Sequence, residues 1–204
     1  MNIFAKLFRR PVPIHDLDGL GAFINDHAAF VVQKGIYEYS RARAGHYSKV
    51  LFSEAGFQQA VEVSRWKAYP LGLAMVGEVA MSVLQEATDL ERKSVVRRVA
   101  DVTLACFDGW DVPAALDAPT WYGLRMALVE RLDRIGLHPP KRAMDIPMTI
   151  AEAYFELMPI HESLRGQDFP TMRNYLRVTL CNVHDQLAKR IDAPALAAQI
   201  IAPR

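Results

Sequence analysis

Cysteine is scarce in this chain. Cys106 and Cys181 are the two in 204 residues, and both lie in apolar company within helix-patterned stretches. Two thiols so placed give no disulfide framework of the kind that staples small secreted domains, so a reduced packing role is expected for both. Charge of one sign is also lacking: 24 Lys and Arg stand against 23 Asp and Glu, a net charge of +1. A dedicated nucleic-acid binder carries a strongly basic face, so nucleic acid is not an expected partner. Period-two alternation bounded by hairpin turns is absent and predicts no sheet. No fixed repeat length marks a solenoid. Residues 1–10 lack the continuous apolar segment and small-residue cleavage site of a secretory signal, so the expected location is the cytoplasm, including the cytoplasmic face of a membrane.

Catalytic and metal signatures are missing too. Di-iron bundles need Glu-x-x-His pairs on facing helices, and no Glu here has His three places on. There is no His-Glu-x-x-His, Cys-x-x-Cys, Walker loop or Gly-x-Ser-x-Gly. Cys181 and His184 stand one helical turn apart but border an apolar stripe, which reads as packing. Glu152 and Glu156, at i,i+4, read as surface. No catalytic residue, metal or cofactor is expected.

What the chain does have is helical periodicity, arranged around Tyr69-Pro-Leu-Gly-Leu-Ala-Met-Val-Gly-Glu-Val-Ala-Met-Ser-Val-Leu84, where Glu78 is the single ionisable acid. A helix apolar all round lies in the middle of a bundle or in a membrane. This run falls short of the roughly 20 apolar residues of a span and is interrupted by Glu78, so it reads as a central core helix over about 70–87, with Pro70 in its first turn.

The fold class expected is therefore all-α: one domain over residues 14–204 with about seven or eight helices around that buried element. The loop 108–119 is the best candidate for a sub-boundary. A first helix is expected to carry Ile24, Ala28, Val31, Gly35, Tyr39 and Ala42 inward and to end near Gly45. Ser53 is expected to cap a second helix that stops before Pro70. Thr88 and Glu91 have capping-box spacing ahead of a Val95, Val99, Val102, Cys106 stripe. Later helices are expected to bury Trp121, Leu124, Leu128, Leu132 and Ile135; then Ala151, Tyr154, Phe155 and Met158 over about 147–158; then Met172, Leu176, Leu180, Val183 and Leu187.

Three features carry functional expectation. Residues 1–13 form a basic amphipathic leader, in which Phe4, Leu7 and Phe8 with Arg9 and Arg10 fit docking to a membrane surface or a partner; a tail resting on the body is the alternative. The end of the first helix interleaves aromatic and basic residues, and Tyr39, Arg43 and His46 are candidates for an anionic ligand or partner, against a reading as a solvated basic helix end. Glu78 is costly to bury without a partner. Arg43, His46, Arg65 and His184 are its candidate partners, and Tyr39, Arg43, His46 and Glu78 together form the expected ligand or partner site. The leading expectation is a non-enzymatic interaction or adaptor module, docking another protein or a second copy of itself and peripheral to the cytoplasmic membrane face. The alternative is a helical protein or enzyme holding a small or lipophilic molecule in a pocket beside the central helix, near Glu78.

Overall fold

A computed structural model describes residues 12–202. The basic leader, and with it Phe4, Leu7, Phe8, Arg9 and Arg10, lies outside the described residues. The remainder is an all-α bundle wrapped around a buried central helix; among the described residues the one non-helical pairing is an isolated bridge between Ile14 and Ile191.

Helix α1 (Leu17–Ala44) starts at Asp16, whose carboxylate accepts the Gly19 N–H at 2.6 Å, and ends at Gly45, which takes φ +53°. Its inward stripe includes Ile24, Ala28, Val31 and Gly35 as the periodicity predicts. The stripe turns outward after that: Tyr39 is half-buried and Ala42 exposed. A short turn and α2 (Ser48–Leu51) lead to α3 (Ala55–Ala87), which packs against α1, α4 (Arg92–Asp108), α5 (Ala118–Ile135) and α8 (Phe169–Ala188). Between α5 and α8 lie a 3-10 turn (Ile146–Thr149), α6 (Ala151–Glu156) and α7 (Glu162–Arg165); α9 (Ala193–Ile201) follows α8, capped by the Asp192 carboxylate. One buried hydrophobic cluster takes residues from α1, α3, α4, α5, α6, α8 and α9.

The central helix is longer than expected. It begins at Ala55 and passes through Pro70 without a break, although the Trp66 carbonyl there has no i+4 N–H to accept. Burial explains the tolerance: every residue from Ala68 to Leu84 is buried, so the surrounding packing outweighs the local cost of proline. By length and composition α3 could cross a membrane, but 94% of its most apolar window is buried inside the bundle.

Two expected caps work differently. Ser53 does not cap α3; its hydroxyl donates to the Val50 carbonyl and closes the preceding turn. Thr88 ends α3 rather than starting α4, donating to the Leu84 carbonyl at 2.7 Å, while Glu91 occupies the α4 N-cap without a side-chain bond. Helix α4 buries Val95 and Val99 as expected but is rotated from the predicted stripe: Val96, Thr103 and Phe107 are inward, and Val102 and Cys106 only half-buried. Thr103 is tolerated there because its hydroxyl bonds its own helix at Val99. The expected helix over 147–158 is a 3-10 turn followed by the short α6, with Ala151, Tyr154 and Met158 buried and Phe155 partly so. Helices α5 and α8 bury the residues their periodicity predicts, Leu124 only partly.

Contact between α1 and α3 depends on Gly72. A Cβ there would lie 2.8 Å from Val32 Cγ2 and 2.9 Å from the Ala28 carbonyl oxygen. A side chain can rotate away, but a backbone oxygen inside a packed helix cannot. Overpacking costs about 1–3 kcal/mol, more than the roughly 1 kcal/mol alanine gains over glycine in a helix. Gly72→Ala is therefore expected to lower stability by about 1–2 kcal/mol, read as a lower urea midpoint with an unchanged slope.

Candidate functional site

Glu78 sits on the part of α3 that is buried all round, with 4% of its surface exposed. Its partners come from the segment between α5 and the 3-10 turn. Lys141 Nζ lies 3.3 Å and His138 Nε2 3.7 Å from Glu78 Oε1. Neither contact is aligned as a hydrogen bond, and Oε1 has no hydrogen-bond partner. The carboxylate is thus neutralised by nearby charge while its directional acceptor capacity stays open.

Three helices hold that segment in place. Arg92 of α4 donates to the carbonyls of Ile135 at 3.1 Å and His138 at 2.6 Å. Ser82 of α3 donates to the Lys141 carbonyl, and Arg177 of α8 to that of Met144. The His-Pro-Pro run that stops α5 is therefore a fixed bracket for His138 and Lys141. His138 Nδ1 lies 2.8 Å from the Pro139 carbonyl oxygen, which can only accept, so Nδ1 carries the hydrogen. In the neutral ring Nε2 then presents a lone pair towards Glu78, and the protonated ring presents N–H.

A cavity of about 280 Å³ opens beside Glu78, lined also by Ala74, Arg131, Arg134, His138, Lys141 and Thr149. Three permanent cations face one carboxylate. Arg134 reaches out to Glu130 at 3.5 Å on the exposed face. Arg131 makes no hydrogen bond or ion pair among the described residues, and burial, then the neighbouring Arg134 charge, holds its guanidinium below its ordinary value. Glu130 pulls the other way, but no carboxylate bonds the Arg131 guanidinium among the described residues.

None of the partners expected for Glu78 is used. Arg43 and Tyr39 meet elsewhere, at Asp168: the Tyr39 hydroxyl donates to Oδ2 at 3.0 Å, and Arg43 Nε lies 3.3 Å from the same oxygen. Arg43 also donates to the Leu164 carbonyl, so the cluster fastens the end of α1 to the start of α8. His46 is exposed in the turn after α1, Arg65 pairs with Glu62, and His184 with Glu86 and Asp185. Tyr39, Arg43 and His46 do not line the Glu78 cavity. Sequence reasoning missed Arg131, His138 and Lys141; the signal available was three basic side chains within eleven positions of a helix stop.

Burial raises several phenols. Tyr39 is pushed up to about 12 by burial and then by the Asp168 carboxylate, Tyr69 and Tyr175 to about 12 chiefly by burial, and Tyr154 is raised well above the ordinary phenol value by its burial. Below pH 10 these groups are protonated in folded and unfolded chains alike, so their contribution to stability is intact. As pH rises from about 10 to 12 the unfolded chain releases protons that the folded one retains, and stability falls. Loss of helical circular dichroism is expected in that window, with the phenolate absorbance of these four tyrosines rising in step with it rather than before it.

Comparison of the chain with models of protein families, with curated proteins and with solved structures finds no match to any of them.

Proposed function

We propose that this chain is a helical small-molecule-binding protein whose pocket beside the central helix takes an anionic ligand. The observation that carries the reading is the cavity at Glu78, where a buried carboxylate with an unbonded oxygen faces Arg131, Arg134, His138 and Lys141. A carboxylate or phosphate on the ligand would meet the unpaired Arg131 fork, which binds such groups bidentately. A hydroxyl or amine on the same ligand would donate to Glu78 Oε1. Such a pocket combines fixed polar groups with an apolar surround formed by Ala74, Ile135 and Ile150.

Native mass spectrometry of the intact chain against its denatured mass tests this. An adduct lost on denaturation, retained by the Tyr39→Phe variant and absent from Arg131→Ala, is expected. An adduct that survives Arg131→Ala unchanged counts against the pocket.

A second reading, docking of another protein or a second copy, rests on a different surface. Phe30, Tyr37, Tyr47 and Val50 are each about half exposed or more along α1, the turn that follows and α2, a concentration of apolar area that marks interaction surfaces. Light scattering of wild type against Phe30→Ser/Val50→Ser tests it: an assembly in the first that is lost in the second supports docking of copies, and a monomer in both removes that form of it.

A further inference from the structure

A second cavity adjoins the Glu78 cavity at Arg131. On α3, Lys67, Pro70, Leu71, Ala74 and Glu78 recur at three- and four-residue steps and share one face. On α5, Thr120, Leu124, Leu128, Arg131 and Ile135 do the same. These two stripes line the Glu78 cavity and a neighbouring one of about 370 Å³, and Arg131 is in the wall of both. The third wall is also continuous: Thr149 and Ile150 border the first cavity, Ala153 and Leu157 the second. At 1.5 Å per helical residue, Lys67 to Glu78 is a groove about 17 Å long. Its Glu78 end is basic, and its middle is mainly apolar, walled by Pro70, Leu71, Leu124, Leu128 and Leu157 with Glu156 at one side.

Gly123 opens this groove. It lies within α5, where glycine costs about 0.5–1 kcal/mol relative to alanine, and a Cβ there would meet nothing within 4 Å. No packing contact in the bundle requires its lack of a side chain; the space beside it belongs to the groove.

We propose that the groove binds an amphipathic acid, its anionic head between Arg131 and Lys141 and its apolar body along the Pro70, Leu124 and Leu157 wall. This rests on the anion-binding reading of the Glu78 pocket and adds the class of molecule. The orientation follows from the larger group of cations at the Glu78 end, where Arg131, Arg134 and Lys141 stand against Lys67 alone at the other. The head group meets Arg131 and adds to the single carboxylate, Glu78, that lines this end of the groove. The body lies against the half-buried Leu124 and Leu157, over a floor of Pro70, Leu71 and Leu128.

The test is calorimetric titration of the full chain with acetate, octanoate, decanoate and decanol, all below micelle-forming concentrations. Affinity is expected to rise about threefold to fourfold per methylene from octanoate to decanoate, with decanol at least tenfold weaker than decanoate. Gly123→Phe fills the groove from an open position, and Ala127→Phe does so one turn further on. Each is expected to weaken decanoate at least tenfold and acetate far less, whereas Arg131→Ala weakens both acids alike. If acetate binds through Arg131 but decanoate is no tighter, the amphipathic ligand is wrong and the anion pocket stands. If no acid binds, both fall. Decanoate binding that is indifferent to both phenylalanine variants places the chain elsewhere and overturns the proposal.

Discussion

Tyr154→Ala is expected to cost about 3–5 kcal/mol, a large part of the 5–15 kcal/mol that holds a typical domain. Tyr154 is fully buried and is the largest such side chain in the bundle. It joins the short α6 to the middle of α1, where its hydroxyl donates to the Val32 carbonyl at 3.1 Å. Tyr175 of α8 approaches from the side and donates to the Val31 carbonyl at 3.1 Å. Gly35 makes room for both rings, since a Cβ there would collide with the Tyr154 hydroxyl and lie 2.9 Å from Tyr175 Cε1. Truncation removes the ring, leaves a cavity in a site that three helices cannot close, and deprives a buried carbonyl of a donor. Tyr154→Phe separates these contributions: it keeps the ring and is expected to cost about 0.5–1.5 kcal/mol for the lost hydrogen bond. Urea unfolding of the two variants measures both, and equal losses would mean that the ring fills no essential volume.

The largest effect on binding is expected at Arg131. A hydrogen bond to a charged partner contributes about 1.5–3 kcal/mol, so Arg131→Ala should weaken a small anion such as malonate roughly tenfold to a hundredfold. Stability should change little, because Arg131 makes no hydrogen bond or ion pair among the described residues and loses only its attraction to the neighbouring Glu130. Glu78→Gln should act in the opposite direction on a plain anion. It keeps the shape of the side chain and removes the one negative charge in the cavity, so malonate binds tighter. A ligand that also donates a hydrogen bond to Glu78 is expected to gain less, since an amide oxygen is a weaker acceptor than a carboxylate. Thermal shifts of the three proteins in malonate read both signs. A loss of malonate binding in Glu78→Gln would mean that the carboxylate organises the pocket rather than repelling the ligand's charge.

How far this architecture could be read from sequence differs from element to element. Helices α5 and α8 were legible because a single apolar stripe faces one side and fixes the rotation. Helix α4 was not, since Val95, Val96, Val99 and Val102 offer two overlapping stripes, and α4 settles on the one that brings Phe107 into the core beside Trp121, ring centroids 4.1 Å apart. Pro70 misled for a related reason. Local rules place it at a helix start, but the burial of Ala68 to Leu84 is a property of the whole bundle and overrides a local preference.

Glu78 stood out in the sequence because an acid in an apolar run carries a desolvation cost wherever the helix lies. Its partners did not. Lys141 and His138 are some sixty positions along the chain, in a Pro-rich segment whose sequence shows a helix stop among basic residues but not where it docks, and their position is set by Arg92, Ser82 and Arg177 from three helices. Tyr39 and Arg43, singled out with His46 and Glu78 as one site, meet at Asp168 and do not line the Glu78 cavity. A spacing of four on one helix brings two residues together but says nothing of what a third helix presents to them.

The most direct measurement is a titration of the arginine side-chain Nε–Hε signals by nuclear magnetic resonance, with malonate and then octanoate added to the isotope-labelled chain. Binding in the groove requires the Arg131 signal to move saturably with both acids, and the exposed Arg97 to stay still. If Arg97 and Arg131 drift together in proportion to ionic strength, the basic wall is only a solvated surface and the Glu78 pocket has no ligand of this kind.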